Sequence, residues 1–250
     1  MLRSLFSVGG FTLLSRAVGF ARDILMASVL GRGLLSDAFV IAFRLPNHLR
    51  AIFAEGAYNA AFIPLYASLR RQSSDAARSF ARTMMGWQIV IQLVILGAAL
   101  TFMPWVVAVL APGFIERPDQ MALAVELTRI TFAYLLCLAV VTHLGDTLNA
   151  EKTFWPAAAA PVLLNLAMIG ALSVAFVFPT AAHAAAWGVF VGGFAELGLL
   201  VLATARKGLP VVPAWPRLTE DVRLFAVRFG PAALGAGGVQ IALFADTILV

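Results

Sequence analysis

Two arginines and an aspartate stand inside the first apolar stretch of the chain, in Ser15-Arg16-Ala17-Val18-Gly19-Phe20-Ala21-Arg22-Asp23. On one insertion scale each such charge costs about 2.5–3.5 kcal/mol near a bilayer centre, so ionisable groups there face a cavity, a partner or a substrate. An arginine fork donates paired, charge-assisted hydrogen bonds to phosphate and stays protonated. The chemistry on offer is recognition of an anion in an apolar setting. On an ideal helix Thr12, Arg16 and Asp23 lie near one face, with Arg22 about 120° from Arg16. Gly19, between the arginines, could permit a bend that turns both guanidinium groups into one cavity. The same spacing allows a structural ion pair between Arg22 and a carboxylate on a neighbouring helix, or snorkelling to an interface.

A second polar group follows. Ser36-Asp37-Ala38-Phe39 opens the next apolar stretch, Phe43-Arg44-Leu45-Pro46-Asn47-His48-Leu49-Arg50 crosses a proline, and Ile52-Phe53-Ala54-Glu55-Gly56 comes after it. Proline removes a backbone hydrogen bond and favours a break or kink. Backbone groups freed at membrane depth are tolerated only beside protein or water, which makes Asn47 and Arg50 candidate cavity-lining residues. Asp37 and Glu55 are candidate countercharges for the arginines when no ligand is present, the competing reading being a salt-bridge network that fixes helix packing. His143 and Asp146, at i and i+3, are two groups without the further clustered His or Cys that a metal site needs. Arg129 reads as an interfacial or pairing residue. Glu196 and Asp246 are candidate proton or cation groups, or structural hydrogen-bonded carboxylates. Gly188-Val189-Phe190-Val191-Gly192 is a small-xxx-small face for close helix packing. There is no Gly-rich phosphate loop, Ser/His/Asp arrangement or pair of catalytic carboxylates, so no catalytic residue, metal or cofactor is expected.

The elements that must position these residues are membrane helices. The chain is 61% hydrophobic and 12% charged, with a mean hydropathy of +0.91, against about 25% charged residues in average soluble domains. Its basic balance, 18 Lys and Arg against 13 Asp and Glu, matters by placement and implies no nucleic-acid partner. The single Cys137 excludes an internal disulfide, and no signal-peptide cleavage pattern is present. A span takes about 20 helical residues. Six complete segments are expected at 5–30, 36–67, 83–111, 122–149, 156–178 and 184–204, with a seventh opening near 222 and still running at Val250. The basic loops, Arg70 to Arg82, Glu151-Lys152 and Arg206 to Arg223, alternate with loops that hold Arg32 alone, Arg117 alone, or no Lys or Arg. Positive-inside counting therefore expects a cytoplasmic N-terminus, and Trp87, Trp105, Trp155 and Trp187 fall near segment ends, where such rings prefer to sit. A loose echo of Phe20-Ala21-Arg22-Asp23-Ile24-Leu25 in Phe244-Ala245-Asp246-Thr247-Ile248-Leu249 would fit a transporter of two parallel repeats. An end inside an apolar run reads as the N-terminal part of a longer protein.

Taken in order, the Ser15–Asp23 and Ser36–Phe39 motifs, Phe43-Arg44-Leu45-Pro46-Asn47, Arg50 with Ile52 to Ala57, and Ala60, Phe62 and Pro64 resemble the MurJ (MviN) family of bacterial lipid II flippases. Ala111-Pro112-Gly113-Phe114, Leu148-Asn149-Ala150, Pro161-Val162-Leu163-Leu164-Asn165 and Gly230-Pro231-Ala232 continue that order. The resemblance covers essentially the whole chain. It implies an all-α polytopic fold within the multidrug/oligosaccharidyl-lipid/polysaccharide exporter superfamily, a V-shaped, two-lobed alternating-access transporter. Residues 1–204 would form a six-helix N-lobe, 205–221 a cytoplasmic linker, and 222–250 the start of a C-lobe completed elsewhere in the same polypeptide. It further implies movement of an undecaprenyl-diphosphate-linked peptidoglycan precursor from the cytoplasmic to the outer leaflet of the inner membrane, with cell-wall synthesis machinery as a possible partner. Family cavity arginines match Arg16, Arg22 and Arg50, and family acids match Asp23 and Asp37. A family position that is often basic is Ala51 here, so its role does not carry over. The rival functions are another exporter of the superfamily, for a different polyprenyl-linked glycan or a drug, a membrane enzyme acting on lipid diphosphates, and a non-transporting membrane scaffold. The net basic first segment argues against a cationic-drug exporter, and Asp75 alone does not supply the clustered acids that such an enzyme would need for a divalent metal.

Overall fold

In lipid each backbone N–H and C=O must find a partner within the protein, and the helix is the solution that pairs them within one segment. The computed structural model describes the backbone of residues 2–53 and 56–249 and the side chains of residues 8–44, 46–47 and 56–235. Among these, all regular structure is helical: α1 (Leu2–Leu30), α2 (Leu34–Phe53), α3 (Ala57–Gln72), α4 (Ser74–Leu110), α5 (Pro118–Ala150), α6 (Trp155–Ser173), α7 (Ala181–Arg206) and α8 (Glu220–Leu249), with single 3₁₀ turns at Pro112–Phe114 and Ala175–Val177. Among the described residues α4, α5, α6 and α7 are each long and apolar enough to cross a membrane.

The second expected segment is two helices, and the interruption falls at Gly56 instead of Pro46. Gly56 has φ 107°, a conformation that side-chain-bearing residues rarely adopt. Pro46 lies inside α2, and the reason is a replacement hydrogen bond. The carbonyl that a proline at position 46 leaves unpaired is that of Ala42, four residues back. The Thr131 hydroxyl, buried on α5, donates to that carbonyl at 2.7 Å. The basic stretch Arg70–Arg78, expected as a loop, is also helical apart from Ser73. Ser73 Oγ accepts from Asp75 N at 3.2 Å and Ala76 N at 3.4 Å, satisfying orphan donors at the start of α4. Glu151, beyond α5, accepts from Arg70 Nε at 2.8 Å and from the Tyr66 hydroxyl at 3.2 Å. That hydrogen bond, with the adjacent negative charge, raises the Arg70 pKa above its ordinary value. At 37 residues α4 is about 55 Å long. It kinks at Phe102, where φ is −101° and ψ 18°, two residues before Pro104.

The bundle is organised around α5, α6 and α7: α7 packs along α6 and α5, α2 and α4 lie on α5, and α1 lies on α6 while barely touching α2. Phe39, Met103, Leu127, Phe132, Tyr134 and Met168 fill the main core. The small-residue face of α7 does what its spacing suggests. A Cβ added at Gly188 would stand 2.8 Å from Met168 Cα, and one at Gly192 would stand 2.6 Å from Leu164 Cδ1, so only glycine admits this approach to α6. The first turns of α8 pack on α3 through Tyr58, Phe62, Val222 and Phe225.

Candidate functional site

Arg22 stands where α1 crosses α6. α1 runs as one helix through Gly19, beside the carboxamide of Asn165: a Cβ at position 19 would lie in contact with Asn165 Nδ2, at 3.4 Å. Asn165 Nδ2 donates to the Ser15 carbonyl at 3.3 Å, and its Oδ1 accepts from Arg22 Nη1 at 2.7 Å. On the other edge of the guanidinium, Nε and Nη2 donate to Asp23 Oδ1 at 3.1 and 2.7 Å. The Arg22 side chain is 19% exposed and that of Asp23 54%. Three of the five N–H groups of a guanidinium are thus committed, and the fork is held at both ends with donors left over. Phe11 against Trp155, ring centroids 6.3 Å apart, fixes the same helix pair one end further along.

Arg16 is exposed on α1, and among the described residues it has no ion pair. Arg22 pairs with Asp23 beside it on the same helix and, among the described residues, with no carboxylate of a neighbouring helix. Asn47 is half-buried on α2. Asp37 lies in the first turn of α2, lining a cavity of about 330 Å³ with Gly33, Arg117, Asp119 and Gln120. Its Cα is thirteen residues from that of Arg50, about 20 Å along the helix, and Arg22 pairs with Asp23. The side chain of Arg50 and the whole of Glu55 lie outside the described residues, as does the side chain of Asp246.

The other sequence candidates have structural surroundings. His143 Nδ1 is 2.8 Å from the Tyr58 hydroxyl, and its ring stands edge-on to Phe62. Glu196, buried on α7, accepts from the Tyr134 hydroxyl at 3.2 Å. Glu196 and Asp146 line a half-open cavity of about 210 Å³ with Asn59 and Asn149. Arg129 is exposed. Asn165, which closes the Pro161–Asn165 motif, was not among the expected site residues. Its further signal is that it is the lone carboxamide in α6, a helix otherwise of Trp, Pro, Ala, Val, Leu, Met, Ile, Gly and a final Ser.

A sequence model of the family described as "Lipid II flippase MurJ" matches residues 26–250. A Rhizobium tropici protein named "Probable lipid II flippase MurJ" is 37% identical over 249 residues, covering 97% of this chain and 47% of that protein. A Burkholderia cenocepacia protein named "Lipid II flippase MurJ" is 39% identical over 222 residues, covering 85% of this chain and 41% of that one. Among solved structures, a lipid II flippase MurJ in an inward closed conformation superposes with a TM-score of 0.78 at 22% identity, over 96% of this chain and 49% of that chain. An outward-facing multidrug-resistance MATE transporter of the MOP superfamily superposes with 0.72 at 16% identity, over 96% and 54%. The chain spans about half the length of the curated relatives it matches. With the family model covering nearly the whole sequence and the helical order shared with a solved member, the chain belongs to the lipid II flippase MurJ family.

Proposed function

We propose that this chain supplies the headgroup-binding half of a lipid II flippase of the bacterial inner membrane, with residues 1–204 as an N-lobe, 205–221 as a cytoplasmic linker and α8 opening a second lobe. Arg16, Arg22, Arg50 and Asn47 form a cationic, hydrated pocket for the diphosphate of an undecaprenyl-linked peptidoglycan precursor. The observation that carries the reading is the clamped Arg22, a guanidinium held by Asn165 and Asp23 with N–H donors unspent. A diphosphate oxygen competes with Asp23 for the guanidinium edge. The bound anion relieves repulsion between arginines and draws the lobes together on the inward side, and Asp23 reclaims Arg22 on release. The tail stays in lipid throughout. Transport of this kind breaks no covalent bond, so the protein works as a transporter and not as an enzyme.

The reading is tested by flipping of an undecaprenyl-diphosphate glycolipid in proteoliposomes carrying the protein or its Arg16→Ala and Arg22→Ala variants. Each charge-assisted hydrogen bond lost is worth about 1.5–3 kcal/mol, so Arg22→Ala is expected to slow flipping by at least about tenfold with membrane insertion intact. Flipping at the wild-type rate in both variants would remove the arginines from the substrate site. Lower protein stability with unchanged flipping per folded molecule would mark them as structural.

A further inference from the structure

The segment between α7 and α8 is strapped onto the first turns of α4. Ala214 N donates to the Arg82 carbonyl at 2.9 Å, Arg82 Nε donates to the Val212 carbonyl at 3.2 Å and Trp87 Nε1 donates to the Arg217 carbonyl at 3.1 Å. The strap lies so close that a Cβ at Gly86 would overlap the Ala214 oxygen. Between strap and helix it leaves a cavity of about 580 Å³ lined by Asp75, Arg78, Arg82, Trp215, Arg217 and Thr219, among others. That volume is in the range of about 300–1,000 Å³ usual for small-ligand sites.

The lining carries three guanidinium groups against the single carboxylate of Asp75. Among the described residues no ion pair neutralises Arg78, Arg82 or Arg217. On the strap Val212, Trp215 and Leu218 are exposed, Trp215 to 80%. The pocket therefore combines unneutralised cations with exposed apolar and indole surface, at the basic end of a helix whose continuation is long and apolar enough to cross a membrane. Basic pockets at that level suit phosphate-bearing lipid heads, and indole rings suit the interface between heads and tails.

We propose that this cavity binds the phosphodiester headgroup of an anionic phospholipid. Arg78 and Arg217 grip the phosphate from helix and strap, Arg82 holds the strap while its charge adds to the field, and Trp215 and Leu218 rest against the first acyl carbons. The lipid bridges α4 to the segment leading into α8. This site is separate from the Arg22 site and does not depend on the transport reading.

The test is native mass spectrometry of the purified protein titrated with phosphatidylglycerol or with phosphatidylcholine of the same acyl chains, and with inorganic phosphate as competitor. The expected result is retention of phosphatidylglycerol over phosphatidylcholine by about tenfold or more, reduced to about threefold or less in Arg78→Gln/Arg217→Gln and kept in Arg78→Lys/Arg217→Lys, since each basic group near an anionic headgroup contributes several-fold. Should the double glutamine variant lose helix content, Arg78→Gln alone carries the test, because Arg78 ties no strap carbonyl. Equal retention of the two lipids, or a preference undiminished by the glutamine substitutions, overturns the proposal. Displacement by millimolar inorganic phosphate overturns the lipid assignment in favour of a free anion. Stronger retention of an undecaprenyl-diphosphate lipid than of phosphatidylglycerol at these residues overturns it in favour of the lipid-linked diphosphate.

Discussion

Arg22 Nη1 donates to Asn165 Oδ1 at 2.7 Å, joining residues 143 positions apart across the α1–α6 crossing. The other end of the same carboxamide is pinned by the Ser15 carbonyl at 3.3 Å, so the amide plane is set by α1 itself. A cation in an apolar helix is thereby given one direction to face. Preorganisation of this kind lowers the cost of ordering a long, flexible side chain when a ligand arrives.

Asn165 is therefore expected to act through Arg22. Asn165→Leu removes the acceptor and frees the guanidinium to swing. It should weaken binding of an undecaprenyl-diphosphate lipid by about tenfold, the order of one charged hydrogen bond. Asn165→Asp keeps the contact but adds a competing negative charge, and should weaken binding further while raising thermal stability relative to Asn165→Leu. Titration with the lipid, paired with thermal unfolding of each variant, checks both directions.

Lysine should substitute unequally at the two arginines of α1. Arg22 uses Nε, Nη1 and Nη2 on fixed acceptors, a pattern an ammonium cannot reproduce, whereas Arg16 has no ion pair among the described residues. On the proposed transport reading, Arg16→Lys in the full-length protein is expected to keep most of the flipping activity and Arg22→Lys to lose most of it. Rates measured side by side in proteoliposomes decide this, and equal losses would mean that Arg22 also acts as a point charge.

The hydroxyl of Thr131 is expected to be worth more than its size suggests. Thr131→Val leaves the Ala42 carbonyl unpaired beside Pro46 in a buried setting, at a cost of about 1–3 kcal/mol. Thr131→Ser restores the donor and should recover most of that. Thermal unfolding in detergent is the readout, and Thr131→Val as stable as wild type would mean that α2 pairs that carbonyl another way.

On α7 the effect of adding one methyl should depend on the face. Gly188→Ala drives a Cβ into the α6 backbone at Met168 and should cost about 1–3 kcal/mol, the usual range for overpacking. Gly198→Ala meets nothing within 4 Å and should gain about 0.5–1 kcal/mol from helix propensity. Opposite shifts in unfolding midpoint are the expected result.

The helices were legible because a membrane leaves an apolar run little else to be, and the α7 glycine face was legible from its spacing. The break in the second segment was not. Pro46 is the louder signal in sequence, but its consequence depended on Thr131, eighty-nine positions from the Ala42 carbonyl it pairs, while Gly56 offered only permissiveness. The basic stretch at Arg70–Arg78 looked like a loop by charge, yet a single capping serine suffices to turn one helix into the next. Arg22 was readable as a misplaced charge, but its partner was not: helical periodicity orders residues around one axis and says nothing of which helix lies opposite.

The most direct measurement is binding of an undecaprenyl-diphosphate glycolipid, against the same lipid without phosphates, to the purified protein and to Arg16→Ala/Arg22→Ala. The account predicts phosphate-dependent binding in the wild type, weakened by about a hundredfold when two charged contacts are removed, in a variant that remains helical. Phosphate-dependent binding of unchanged strength in that variant would contradict it and make the Arg22–Asn165 contact a packing device of the α1–α6 crossing.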